Sequence, residues 1–170
     1  EEKKPGLAVK ALAELDRSGA RLIFIGDGQK LDEIREVARR LGVADQVEFL
    51  GEVFDHEDLR AAYERCIASI SAGYVGLSMT QSHAFGLPML YPDNEPHAPE
   101  VEAAEEGVNA VTFRSDDPTS LASAMREVID NRDEWIARRE SISDACRANY
   151  SIERMVAGFL AAVDGEPMEE

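Results

Sequence analysis

Two cysteines are all this 170-residue chain contains, Cys66 in an apolar run and Cys146 in a polar helical stretch. Neither their number nor their spacing fits a disulfide scaffold or a metal site, so both read as free thiols. Long apolar runs are missing too. Nothing approaches the roughly 18 consecutive apolar residues that cross a bilayer, and no charged-then-apolar leader opens the sequence. Positive charge is scarce: 18 Lys and Arg face 34 Asp and Glu, for a formal net charge of -16. That balance works against nucleic acid and anionic membrane surfaces as partners, and it fits either a salt-adapted host or a solvated acidic exterior. The three histidines, His56, His83 and His97, lack the spacing of a zinc site. With 44% hydrophobic and 31% charged residues, the chain reads as a globular domain with a real core, expected in the cytoplasm.

What is present is alternation. A helix is predicted over Lys4–Arg17, then a buried strand Leu22–Ile25 closed by Gly26-Asp27-Gly28. Leu31, Ile34, Val37, Ala38 and Leu41 stripe a second helix that Gly42 stops, and Val47–Gly51 is a second strand. A third helix is predicted over Glu57–Arg65, starting near His56, before a strand at Cys66–Ser71. A glycine turn leads into a helix from about Gly76 to Phe85, followed by a strand at Pro88–Tyr91. A loop rich in Pro, Asp, Asn and Glu then holds a short helix near Glu100–Glu105. After the strand Ala110–Phe113, Asp117 as N-cap with Pro118 at the first helical position opens a broken helical region running to Val163.

Strands of four to six residues separated by helical patterns predict a doubly wound α/β domain, a parallel sheet with helices on both faces. The whole chain, 1–170, reads as one domain, with 117–170 as its C-terminal helical region. Such sheets bind ligands beyond the carboxyl ends of their strands. One rim therefore gathers Gly26–Gly28, Phe49–Val53, Gly73–Leu77 and Tyr91–Glu95. Within it, Gly73-Tyr74-Val75-Gly76-Leu77 turns from a strand into a helix, which aims unpaired N–H groups and a positive helix end at one point suited to phosphate. An ordinary βα turn is the plainer alternative for the pentapeptide alone. His83 reads as a satisfied buried side chain, and the Phe49 ring as core.

Taken in order, Glu2-Lys3-Lys4-Pro5, Ile25-Gly26-Asp27-Gly28, Val47–Gly51, Gly73–Leu77, Gly86-Leu87-Pro88, Gly107-Val108-Asn109 and Tyr150-Ser151-Ile152-Glu153 resemble the C-terminal domain of GT-B glycosyltransferases, most closely the retaining family 4. The resemblance covers nearly the whole chain. It implies a nucleotide-diphosphate sugar as donor substrate, no required cofactor or metal, and a separate N-terminal domain supplying the acceptor site. It also implies that the first strand of the domain, with an arginine partner, lies before residue 1. Full-length protein is then the enzyme, with membrane association open for it, and this chain alone is expected to be inactive.

Residue by residue, the resemblance assigns the diphosphate-binding cation to Lys3, with Lys4 as the competing candidate. A cation there favours a leaving nucleoside diphosphate as its negative charge develops. Gly26, Asp27, Gly28, Phe49, Gly51 and Val53 fall on the donor side of the cleft, the last three through backbone groups, along with Gly73, Tyr74, Val75, Gly76 and Leu77. The family's paired glutamates are replaced: Gly73 stands at the first position and Gln81 at the second. Gln81 can still exchange hydrogen bonds with a ribose but carries no charge, and Glu95 or Glu100 could meet sugar hydroxyls in place of the first glutamate. A solvated acidic loop is the equal alternative for those two. The replacements also admit an inactive binding module, and a sugar-nucleotide epimerase of the same architecture is a further alternative. A receiver-like domain fits poorly, because no acidic cluster ends the first strand.

Overall fold

The computed structural model describes residues 3–15 and 19–164. The order is α1 (Pro5–Ala13), β1 (Leu22–Ile25), α2 (Leu31–Arg40), β2 (Val47–Gly51), α3 (His56–Glu64), β3 (Ser69–Ile70), α4 (Ser78–Ala84), β4 (Met89–Pro92), β5 (Ala110–Phe113), α5 (Pro118–Asp130), α6 (Arg132–Ala137), α7 (Arg139–Tyr150) and α8 (Ile152–Asp164). Short 3-10 turns occupy Ala44–Gln46 and Pro99–Ala103. The predicted end of the first helix at Arg17, Glu2 of the first motif and residues 165–170 lie outside the described residues.

Every strand pairing is parallel, β1 with β2 and β3 with β4 with β5. Helices cover both faces, as the short apolar strands predict. On β4, Leu90 joins the cluster built on α1, α2 and α5, while its neighbour Met89 packs the other way with Val75, Met79 of α4 and Ala103. That alternation is the pleat at work. α4 in turn packs on α7, and Tyr63 of α3 stacks on Phe85 at the end of α4, ring centroids 4.3 Å apart.

The strands are less uniform than their sequences. β4 and β5 are almost wholly buried, but β1 is only half-buried and β3 shrinks from the predicted Cys66–Ser71 to two paired residues. Among the described residues no ladder joins β1 to β3. A cavity of about 590 Å³ separates them. The Cys66 carbonyl accepts from Arg139 Nη2 rather than from a neighbouring strand.

Helix ends follow their local chemistry. The Asp55 carboxylate accepts from the N–H groups of Glu57 and Asp58 at 2.8 and 3.2 Å, and α3 begins at His56 as expected. Asp117 caps α5 through Ser120 N–H with Pro118 in the first turn, as expected. The short helix predicted near Glu100–Glu105 forms as a 3-10 helix over Pro99–Ala103. Gly86 and Leu87 end α4 with a paired motif, Gly86 N–H to His83 C=O at 2.8 Å and Leu87 N–H to Ser82 C=O at 3.0 Å. Gly42 and Val43 close α2 in the same way. The last helix differs from the rest. α8 buries none of its residues, and Ile152, Met155, Phe159 and Val163 are each about 70% exposed (73, 67, 71 and 67%) along one side.

His83 is 2% exposed, and its Nε2–H donates to the Asn109 carbonyl at 3.0 Å. Burial pushes its pKa below the ordinary 6.5, the Asn109 bond opposing in part. Above pH 6.5 both folded and unfolded His83 are neutral, and it contributes no pH dependence. As pH falls below that, the unfolded chain takes a proton that the fold refuses, so stability falls by up to about 1.4 kcal/mol per pH unit until the folded value is reached.

Two predictions follow from these packing facts. Gly86 has φ +73°, and an added Cβ would lie 2.5 Å from the Arg139 carbonyl oxygen, whereas Gly107, at φ +74°, has nothing within 4 Å. Gly107→Ala should cost about 1–2 kcal/mol through backbone conformation alone, and Gly86→Ala about 1–3 kcal/mol more, measured by urea unfolding. His83→Gln keeps a donor for Asn109, so the stability gap between wild type and variant should shrink as pH is lowered from 7.5 to 5.5, read by thermal unfolding.

Candidate active site at the sheet rim

Parallel strands deliver their carboxyl ends to one edge, and the loops that leave them meet there. Gly26 follows β1 with φ +118° and donates to Gly51 C=O at 2.7 Å, while Gly51 ends β2 with φ +72°. Both conformations favour glycine, and the bond brings two of the expected rim segments together. Asp27 folds onto its own turn, its Oδ1 accepting from Gly28 N–H at 2.7 Å. The Phe49 ring stacks on Phe24 with centroids 5.3 Å apart and lies beneath Arg35, so it is core as expected, and only the backbone through Val53 reaches the rim. Phe54, one residue on and 85% exposed, is an aromatic at this edge that the sequence reading passed over.

The turn after β3 is held from three sides. Ser71 Oγ donates to Tyr74 C=O at 3.1 Å. Val75 is fully buried, its N–H donates to His97 Nδ1 at 3.1 Å, and its C=O accepts from Ala98 N–H at 2.9 Å. His97 Nε2 lies 2.7 Å from Pro92 C=O. A backbone N–H can only donate and a carbonyl can only accept, so His97 accepts at Nδ1 and donates from Nε2. The histidine thus stitches the turn after β3 to the loop after β4. Nothing in its spacing signals this, because the two loops meet only in three dimensions.

Val75 spends its N–H on His97, and Gly76 and Leu77 follow it into α4. α4 opens with Leu77 at its N-cap position and no side-chain cap, which leaves first-turn donors without an intrahelical partner. Gly73 is buried. An added Cβ on Gly76 would meet Ala98 Cβ and Tyr74 Cε1, each at 3.7 Å, ordinary contacts. Gln81 is exposed, one turn past Leu77, itself 74% exposed, so the two share a face of α4.

The cations at the start of α1 come to the same rim. Lys3 Nζ donates to Tyr74 C=O at 2.8 Å and lies 5.5 Å from the Tyr74 ring centroid. Lys4, at φ 43°, is engaged elsewhere: it pairs with Glu95, with Ser115 Oγ at 3.1 Å and with Asp116 at 2.9 Å. The Glu95 and Asp116 carboxylates raise the Lys4 pKa above the ordinary 10.5. Ser115 Oγ also donates to Glu95. Glu95 is therefore bound to Lys4 and Ser115, whereas Glu100 has a buried Oε2 with no hydrogen-bond partner, as does Ser78 Oγ. Among the described residues no cluster of His, Cys, Asp and Glu could hold a metal, and no helix is long and apolar enough to cross a membrane.

A parallel α/β sheet with loops converging on one rim is the architecture of the doubly wound class. The family model for glycosyl transferases group 1 matches residues 1–148, and the chain belongs to that family, as a C-terminal domain of the GT-B architecture. No curated protein matches significantly. The chain is similar in fold to HepE of Anabaena, solved in complex with UDP, with 20% identity, a TM-score of 0.77 and coverage of 95% of this chain and 46% of that one. It is also similar to a glycosyltransferase of Rickettsia africae (17% identity, TM-score 0.82, covering 97% and 45%). A third likeness is the catalytic domain of the cholesterol-alpha-glucosyltransferase of Helicobacter pylori (19%, 0.72, covering 89% and 92%). The chain spans about half the length of the first two.

His97→Ala would leave the Val75 N–H without its partner. Amide exchange at Val75 should then accelerate by roughly tenfold, about 1–2 kcal/mol of lost protection, while the Gln81 amide inside α4 keeps its wild-type rate. Unchanged exchange at Val75 would show that the turn holds without the histidine.

Proposed function

We propose that this chain is the donor-binding half of a retaining glycosyltransferase and holds a nucleoside-diphosphate sugar at the rim. The observation that carries this reading is the uncapped start of α4 at Gly76 and Leu77, with the Lys3 ammonium drawn to the adjoining Tyr74 carbonyl. Donors and a cation lie around one turn, which suits a diphosphate. Family membership and the UDP complex of the similar Anabaena protein support the same ligand class.

In this reading the Gly76 and Leu77 N–H groups and Lys3 bind the diphosphate, Gln81 meets the ribose, and backbone groups from Gly51 to Val53 read the base edge. Gly26–Gly28 forms the neighbouring wall. Glu100 is the better of the two acidic candidates for a sugar hydroxyl, because one of its oxygens has no partner, whereas Glu95 is committed to Lys4 and Ser115. The bond from the anomeric carbon to the diphosphate oxygen breaks as one to an acceptor oxygen forms on the same face, and the acceptor proton passes to the departing phosphate. Lys3 and the turn stabilise the charge that develops on that phosphate. A second domain would supply the acceptor and exclude water. No cofactor is required, and a cytoplasmic location belongs to the same proposal.

Titration of the folded chain with UDP, GDP and UDP-glucose by calorimetry tests it. Weak binding without sugar transfer is expected. Gly76→Val should abolish most of that binding with little loss of stability, since a β-branched side chain would crowd the phosphate. Gln81→Ala should cost about 1 kcal/mol, roughly fivefold in affinity. A folded Gly76→Val variant that binds as wild type does would overturn the assignment of the turn.

A further inference from the structure

Tyr74 interrupts a buried stretch of the turn after β3. Gly73 and Val75 on either side of it are buried, whereas Tyr74 itself is half-buried. Its carbonyl is doubly engaged, accepting from Lys3 Nζ at 2.8 Å and from Ser71 Oγ at 3.1 Å. Its phenol is not. Among the described residues the Tyr74 hydroxyl has no hydrogen-bond partner, although a phenol can both donate and accept.

Three contacts fix where the ring stands. Lys3 Nζ lies over it, 5.5 Å from its centroid, and the His97 ring lies beside it, centroids 6.5 Å apart and planes tilted by 51°. Its Cε1 stands 3.7 Å from the point where a Cβ on Gly76 would sit. Cε1 is bonded to the carbon that bears the hydroxyl, so the polar end of the ring is the end beside Gly76. A group held by Lys3 and by the turn at Gly76 therefore meets an aromatic ring whose place is set before binding, which spares the cost of ordering it.

We propose that Tyr74 selects the sugar of the donor, its phenol exchanging a hydrogen bond with a hydroxyl of the hexose attached to the diphosphate. The inference rests on the donor-site reading above. With the diphosphate on the turn and on Lys3, the sugar follows directly from the outer phosphate, within reach of a hydroxyl that stands beside Gly76. Charge favours a phenol there. A neutral group escapes the repulsion that a carboxylate meets beside two phosphates in a chain of net charge -16. It also complements Glu100, which only accepts when ionised. A site that pairs with a substrate hydroxyl rejects the analogue lacking it, because its own polar group is then left unpaired.

Calorimetry on the folded chain tests it, comparing wild type with Tyr74→Phe, which removes the hydroxyl and keeps the ring. The quantities read are the ratio of UDP-glucose to UDP affinity and the ratio of GDP-mannose to GDP affinity. Either ratio cancels any change in how the turn holds the diphosphate. At least one should fall about fivefold in Tyr74→Phe. Among deoxy analogues of that sugar nucleotide, loss of one particular hydroxyl should weaken wild type by a similar factor and leave Tyr74→Phe unaffected, as a directly coupled pair requires. Unchanged ratios in both pairs would overturn the proposal, and equal losses with and without the sugar would do so by putting the phenol on phosphate. If wild type binds none of these ligands, the turn itself is misread and the proposal falls with it, a result distinct from diphosphate binding that survives with unchanged ratios.

Discussion

Backbone pairing inside a buried parallel sheet has no substitute. An N–H or C=O turned into an apolar layer without a partner costs about 1–3 kcal/mol, so each central strand needs a neighbour on both edges. Most of this molecule obeys that constraint. β4 has β3 and β5 beside it, and it is almost wholly buried, as β5 is. Among the described residues β1 and β3 each pair on one edge; β1 is half-buried, β3 has two paired residues, and a side chain from α7 reaches the Cys66 carbonyl.

At the rim the same accounting selects which groups are free for chemistry. His97 consumes one main-chain donor of the turn after β3, and in doing so fixes the loop that carries Glu95 and Glu100. Lys4, Glu95, Ser115 and Asp116 form a closed polar set tying the start of α1 to the loops after β4 and β5. Lys4 and Asp116 are also the two non-glycine residues with positive φ among those described. A left-handed backbone at both members of an ion pair is costly, and the surrounding contacts sustain it. The proposed ligand therefore meets a scaffold whose polar groups are largely assigned before it arrives.

The alternation of helix and strand was legible because its period is local. Leu22–Ile25, Val47–Gly51 and Ala110–Phe113 fall where their apolar runs stand, and Asp117-Pro118 starts α5 as cap chemistry requires. Cys66–Ser71 was not legible as a two-residue strand, since its extent depends on the register it finds with β4, which no local pattern contains. Gly86-Leu87-Pro88, which helped to align the family motifs, proves to be the stop signal of α4, explained by Gly86 at φ +73° and a fully buried Leu87. At the site, the segments of the rim could be read from topology, but the separate fates of Lys3 and Lys4 could not. Adjacent lysines look alike in sequence, and only the fold puts a carbonyl beside one and two carboxylates beside the other.

The apolar side of α8 bears on how copies of this chain behave together. Ile152, Met155, Phe159 and Val163 form a water-facing row, and apolar rows on separate molecules attract at contact. The net charge of -16 opposes their approach at neutral pH, over a distance of about 8 Å at physiological ionic strength. Acidity and this helix are thereby coupled as a colloidal balance. Near the isoelectric point of about 4.5, or in concentrated salt, the repulsion fades and the row is left to govern self-association.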